Sequence, residues 1–327
     1  MDDVRNPDRI QRRLDGRRSK CTSVVLIHDG GGTTFAYYML HALDRDVYTI
    51  YDPNYATAQP WEGGLDGMAA HYLRLIKDAG LHGPLILGGW SLGGYIALAI
   101  ARLIADDPCS PISVAGCLLV DTPYHIPLAQ FPEECVEPDQ SDLPRLTQKS
   151  LDRCDDLLDA WELPTWDSAP CGTRVLHCPQ LGARYPSSIP PGHFVRESIH
   201  GEITVQEVAP EYPSRDLSPS DNPTPLLVPR GEYRYCEKHA AELAPAGLIR
   251  CVRRCINRDY RGCGALVDYF REDPLLGWAT GGYPEFIKLV IDLDAHHYDM
   301  FALARVDATT SAIKQGLDAL DSFMLPD

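Results

Sequence analysis

The 327-residue chain is poor in basic charge: 30 lysines and arginines stand against 46 aspartates and glutamates, a formal net charge of -16. That balance excludes nucleic acid as a partner, because phosphate binding needs a positive field. Long hydrophobic runs are missing too. No stretch approaches the roughly eighteen uncharged apolar residues of a membrane-spanning helix, and the opening "MDDVRNPDRIQRRLDGRRSK" has no apolar core of a secretory leader. The expectation is a cytoplasmic protein. Among the 11 cysteines there is no CxxC pair, and the number is odd. Both facts argue against a disulfide framework and for reduced, mostly buried thiols. The densest group, "CVRRCINRDYRGC" at 251–263, fits no zinc spacing, so neither metal nor cofactor is expected.

What is present is alternation. Apolar runs at 23–28 ("SVVLIH"), 47–51 ("VYTIY"), 84–89 ("PLILGG") and 116–121 ("GCLLVD") read as buried strands. Between them, "GGLDGMAAHYLRLIKDAG" and "YIALAIARLIADD" repeat apolar residues every three or four positions, as on a helix face. Buried strands alternating with helices predict an α/β fold with a mostly parallel sheet flanked by helices. The first twenty residues, with seven basic and four acidic side chains, read as a solvated tail or linker.

After Asp121 the texture changes. Residues 123–245 hold 18 of the 27 prolines, and each proline removes a backbone donor. No regular sheet is expected there, only helical pieces near "LTQKSLDRCDDLLDAW" (146–161) and "GEYRYCEKHAAEL" (231–243) in ordered loop. A long irregular insertion in a compact domain is either functional or disordered, and Trp161, Trp166, Phe194 and Tyr212 favour a functional lid. The alternating pattern resumes at 246–253 ("AGLIRCVR") and 286–293 ("FIKLVIDL"), with a closing helix in "ATTSAIKQGLDALDSFM". A rival resuming strand at 224–233 carries Pro229 in its middle, which suits only an edge or a bulge. The predicted organisation is a tail over 1–20, a core over 21–122 and 246–327, and a lid over 123–245.

The chemistry centres on Gly89-Trp90-Ser91-Leu92-Gly93. This matches the G-x-S-x-G nucleophile elbow of the α/β-hydrolase fold, set between a strand and an amphipathic helix as that motif requires. A serine hydroxyl needs an imidazole to take its proton, and the imidazole needs a carboxylate to fix its tautomer. Chain order in this fold is serine, acid, histidine. His296 and His297, in "DLDAHHYDMF", both follow the last strand. For the acid, Asp121 at a strand end is preferred to Asp259, several loop residues past the next strand, because a strand end is more rigid. Oxyanion donors are expected from the Leu92 amide, at the head of the helix, and from the loop "HDGGGTTF", where Gly30 is preferred to Asp29. No Walker lysine follows the glycines, so they do not read as a phosphate loop.

The stretches "LIHDGGGTTFAYY", "GPLILGGWSLGGYIALAIA", "GCLLVDTPY", "VDYFREDPLLGW" and "DAHHYDMF" together resemble the thioesterase domains of fungal polyketide synthases and related nonribosomal synthetases. The resemblance covers roughly 20–130 and 245–323, not the insertion. It implies a Ser91, Asp121, His297 triad, the last through "HYDM", which has Tyr298 where the family usually has phenylalanine. It also implies an acyl chain presented on the phosphopantetheine arm of an acyl carrier protein. Release would pass through an acyl-Ser91 intermediate to water or to another nucleophile.

Overall fold

Continuous apolar runs become strands buried on both faces. The computed structural model describes residues 5–13, 21–131, 141–166, 175–178, 184–208, 243–255, 265–279, 283 and 285–323. Its strands are β1 (Asp8–Gln11), β2 (Ser23–Ile27), β3 (Val47–Ile50), β4 (Gly83–Trp90), β5 (Ile112–Val120), β6 (Leu176–His177), β7 (Ser188–Ile189), β8 (His193–Glu197), β9 (Ile203–Glu207), β10 (Ala246–Cys251) and β11 (Ile287–Leu293). The helices are α1 (Phe35–Tyr38), α2 (Gly64–Asp78), α3 (Leu92–Asp106), α4 (Arg145–Asp159) and α5 (Val306–Phe323).

Nine strands form one sheet in the order β1-β3-β2-β4-β5-β10-β11-β8-β9, with β6 and β7 paired separately. Every neighbouring pair from β3 to β8 in that order is parallel. Strand alternation divides the core in two. Val25, Ile27, Leu85 and Leu87 pack with α2 and α3, while Val24, Leu26, Ile86 and Ile249 pack with α5. This is the α/β architecture that the sequence predicts. Among the described residues no helix is long and apolar enough to cross a membrane.

Two expectations need correction. The insertion does contribute sheet: β8 pairs parallel to β11, and β9 pairs antiparallel to β8 at the sheet edge. The segments "HFVRE" and "ITVQE" are free of proline, and the turn between them carries Gly201 at φ +76°. Proline density over the whole insertion hid two short strands that prolines never enter. The expected tail is likewise not all tail, since β1 pairs antiparallel with β3 and covers what would otherwise be an open edge. The helix expected near 146–161 is α4, and the strand expected at 246–253 is β10. The rival strand at 224–233 and nearly all of the helical piece at 231–243 lie outside the described residues.

The sheet positions the serine through the turn from β4 into α3. Ser91 sits at φ 53°, ψ -117°, a conformation that costs a non-glycine residue of order 1–3 kcal/mol and persists only when its surroundings enforce it. They do so by crowding. A Cβ added at Gly93 would stand 2.3 Å from the Ile27 carbonyl oxygen, and one at Gly89 would stand 2.5 Å from the same atom. Only glycine lets β2, β4 and α3 approach this closely. Gly93→Ala is therefore expected to destabilise the protein by about 2–4 kcal/mol, read as a fall in the urea midpoint.

Candidate active site

Three strand ends converge on one point. The Ser91 amide donates to the Val120 carbonyl at 3.0 Å, and the Thr122 hydroxyl donates to the Ser91 carbonyl at 2.9 Å. The elbow is thus tied to the residues on either side of Asp121. Asp121 itself leaves β5 in a left-handed conformation, φ 47°, with its amide donating to the Ile249 carbonyl at 2.7 Å. Its carboxylate is completely buried.

That carboxylate makes four hydrogen bonds to three residues. Oδ1 accepts the Cys251 amide at 2.8 Å and an Arg271 guanidinium nitrogen at 2.6 Å. Oδ2 accepts the other terminal nitrogen of Arg271 at 2.9 Å and lies 2.8 Å from His297 Nδ1. Burial alone would raise the Asp121 carboxyl, but the Arg271 charge and the His297 hydrogen bond more than offset it. The group is held well below the usual carboxylate range. An ionised carboxylate only accepts hydrogen bonds, so Nδ1 of His297 must donate. In the neutral ring this leaves Nε2 as an acceptor.

His297 is buried, and its ring centroid lies 5.5 Å from that of Trp90, the residue before the serine. Ser91, His297 and Trp90 line a cavity of about 430 Å³. Gly30 and Asp29 line it from the loop after β2, and Leu151, Cys154 and Leu158 line it from α4. Helix α4 is fastened over the cavity by Tyr55 to Thr147 (3.0 Å) and Arg153 to Asp52 (3.1 Å). Just beyond the helix, the Trp161 indole donates to Asp66 at 2.9 Å. A Cβ at Gly30 would meet the Cys154 sulfur at 3.0 Å, so the glycine lets this loop and helix close on each other. Leu92 opens α3, where the first amides have no acceptor within the helix.

The remaining candidates separate cleanly. His296 lies 3.4 Å from Asp299 and is absent from the cavity wall. Asp259 lies outside the described residues. Sequence reasoning missed Arg271 and its second partner Asp268, which accepts from Arg271 Nε at 2.9 Å. Their only trace was the stretch "VDYFREDP", in which one i,i+3 pair of opposite charges looks like ordinary surface. His125, a further cavity residue, was also missed. Burial lowers its proton affinity, and it lies 3.1 Å from the Trp161 carbonyl.

A serine and a carboxylate-bound imidazole on the wall of one partly apolar cavity, beside a glycine loop and a helix start, are the parts needed for acyl transfer. Residues 22–150 match the family described as Thioesterase domain. The chain is 35% identical over 322 residues to the probable thioesterase KK1J of Curvularia clavata, an alignment covering 98% of each protein. The chain belongs to the thioesterase family. The thioesterase is also 40% identical over 122 residues to the nonribosomal peptide synthetase imqB of Aspergillus flavus, which is 37% of this chain and 3% of that one. Among solved structures, the NocB thioesterase domain in covalent complex with a fluorophosphonate nocardicin G analog matches with a TM-score of 0.50. That match, at 18% identity, covers 90% of this chain and 94% of that chain. It shows a shared fold, the α/β-hydrolase fold expected from the elbow.

Asp29 sets up a measurable pH effect in the thioesterase. Burial raises its carboxyl to about 6, even though the His297 ring, when protonated, and nearby backbone amides pull it down. A folded-state value above the unfolded one means that ionisation opposes folding. The loss of stability begins above about pH 4 and is complete above about pH 6. Asp29→Asn removes it. Because Asp29 is only partly shielded from solvent, the variant is expected to gain on the order of 1 kcal/mol over the wild type between pH 4 and pH 7.5, read by urea unfolding at the two values.

Proposed function

We propose that this thioesterase releases a polyketide or peptidyl chain from the phosphopantetheine arm of an acyl carrier protein through an acyl-Ser91 intermediate. Nε2 of His297 takes the Ser91 proton as the oxygen attacks the thioester carbonyl. Asp121 holds the ring in the tautomer that allows this and stabilises the imidazolium that results. The Gly30 and Leu92 amides receive the oxyanion. The imidazolium then gives its proton to the departing thiolate, leaving an acyl ester on Ser91. In the second half, water or a nucleophile of the chain itself is deprotonated by the same nitrogen, attacks the ester, and Ser91 recovers its hydrogen.

The observation that carries this reading is the 2.8 Å bond between His297 Nδ1 and a buried, ionised Asp121, with Ser91 and His297 on one cavity wall. The carrier-bound substrate is supported by the likeness to a segment of a nonribosomal peptide synthetase. Within the insertion, α4 serves as the lid. Its Leu151 and Leu158 line the cavity and limit the water that can compete with an internal nucleophile for the acyl ester.

A fluorophosphonate is expected to label Ser91 and not the Ser91→Ala variant, read by mass spectrometry of the intact protein. Acyl-N-acetylcysteamine thioesters should be cleaved faster than the matching oxygen esters; an equal or reversed preference points instead to a carboxylesterase. Asp121→Asn should lower kcat by about 10⁴-fold, while Asp259→Asn keeps most of the activity.

A further inference from the structure

The steps above make no use of Arg271, the buried cation that touches the acid of the site. Arg271 is 3% exposed and lies between two carboxylates, Asp121 and Asp268, each 0% exposed. Besides its two bonds to Asp121, it donates to the Cys251 carbonyl at 2.7 Å and through Nε to Asp268. The other oxygen of Asp268 accepts the Cys255 amide at 2.6 Å. Three buried charges are weak evidence for stability, since desolvating ions offsets most of their attraction. Their placement against the acid that orients the base calls for another account.

The first consequence is orientation. A carboxylate has about four acceptor positions. Arg271 takes one on each oxygen of Asp121, the Cys251 amide takes a third, and the one left on Oδ2 faces His297 Nδ1. The carboxylate cannot turn without breaking charge-assisted bonds.

The second consequence is charge. A buried carboxylate with no cation beside it favours the protonated imidazole, and a protonated ring has no lone pair for the Ser91 hydrogen. Arg271 opposes this directly. The other ionisable groups around the pair do not substitute for it. The Cys255 thiol is pushed up to about 12 and the Cys251 thiol well above its ordinary value, both chiefly by burial. Burial likewise raises the Tyr95 phenol. Asp268, Asp29 and Asp299 are carboxyl groups, and Tyr298, whose ring is 5.0 Å from that of His297, is a phenol; none of them supplies a cation.

We propose that Arg271 is a positioning residue for acyl transfer: it locks Asp121 in the orientation that receives the Nδ1 hydrogen of His297, and it cancels enough carboxylate charge to leave Nε2 free as a base. The inference rests on the Ser91, His297 and Asp121 reading above. It gives Asp268 a role as well, that of holding the guanidinium from the far side.

The test is the rate of fluorophosphonate labelling of Ser91 between pH 5 and 9 in the wild type, Arg271→Lys and Arg271→Met, with folding followed by circular dichroism. Arg271→Met is expected to move the acid limb of the profile to higher pH by about one unit, hence about tenfold slower labelling on that limb. Arg271→Lys keeps the charge but cannot grip both oxygens, so its limb should stay in place while the plateau falls about tenfold or more. A uniform loss in Arg271→Met with an unmoved limb overturns the charge role. A wild-type plateau in Arg271→Lys overturns the orienting role, and this arm decides by itself if Arg271→Met does not fold. Absence of Ser91 labelling in the wild type overturns the acyl-transfer reading, and the inference with it.

Discussion

The Asp121 carboxylate is the constraint on which the site depends. Its four hydrogen bonds come from the amide at the end of β10, the arginine after the 3-10 turn at Leu266–Asp268, and the histidine after β11. One side chain thereby stitches together segments that the sheet only brings near. Alongside it, the Trp278 indole donates to the Thr122 carbonyl at 2.9 Å and the Tyr124 amide donates to the Leu276 carbonyl at 2.8 Å. Because the carboxyl is held below its usual range in the fold, its contribution to stability is present above the unfolded value near pH 4 and fades as pH falls below it.

Several features of the site are unfavourable taken alone. Ser91 and Asp121 both have positive φ, and the Asp29 carboxyl resists ionisation. Such features persist where the rest of the structure over-determines them. Here the surplus comes from a sheet covered on both faces. β2, β4, β5, β10 and β11 are almost entirely buried between α2 and α3 on one side and α5 on the other. The crowding at Gly89 and Gly93 leaves room for no side chain on either flank of the turn that holds Ser91.

Legibility in the sequence follows the range of each interaction. The elbow was readable because strand, glycines, serine and helix are contiguous, and Asp121 because it ends an unbroken apolar run. His297 over His296 came from a resemblance; in the structure His297 Nδ1 lies 2.8 Å from Asp121 and His296 lies 3.4 Å from Asp299. Arg271 was unreadable, because nothing local separates it from a surface arginine and its partner lies 150 residues away. Strands β8 and β9 were hidden by the prolines around them, and β1 by its charges; each is an edge or near-edge element whose partner strand, not its own pattern, makes it a strand.

The spread of the Asp121 partners along the chain also governs when the protein acquires its chemistry. A chain still on the ribosome has the elbow and Asp121 once β5 is made, but Cys251, Arg271 and His297 are supplied only by its last third. Until then Asp121 has neither its counter-ion nor its imidazole, and stays solvated instead of buried. Under the proposed mechanism, Ser91 has no base to take its hydrogen throughout that interval. The nascent protein therefore cannot capture acyl groups by that mechanism until β10, β11 and the segment that carries His297 have been made.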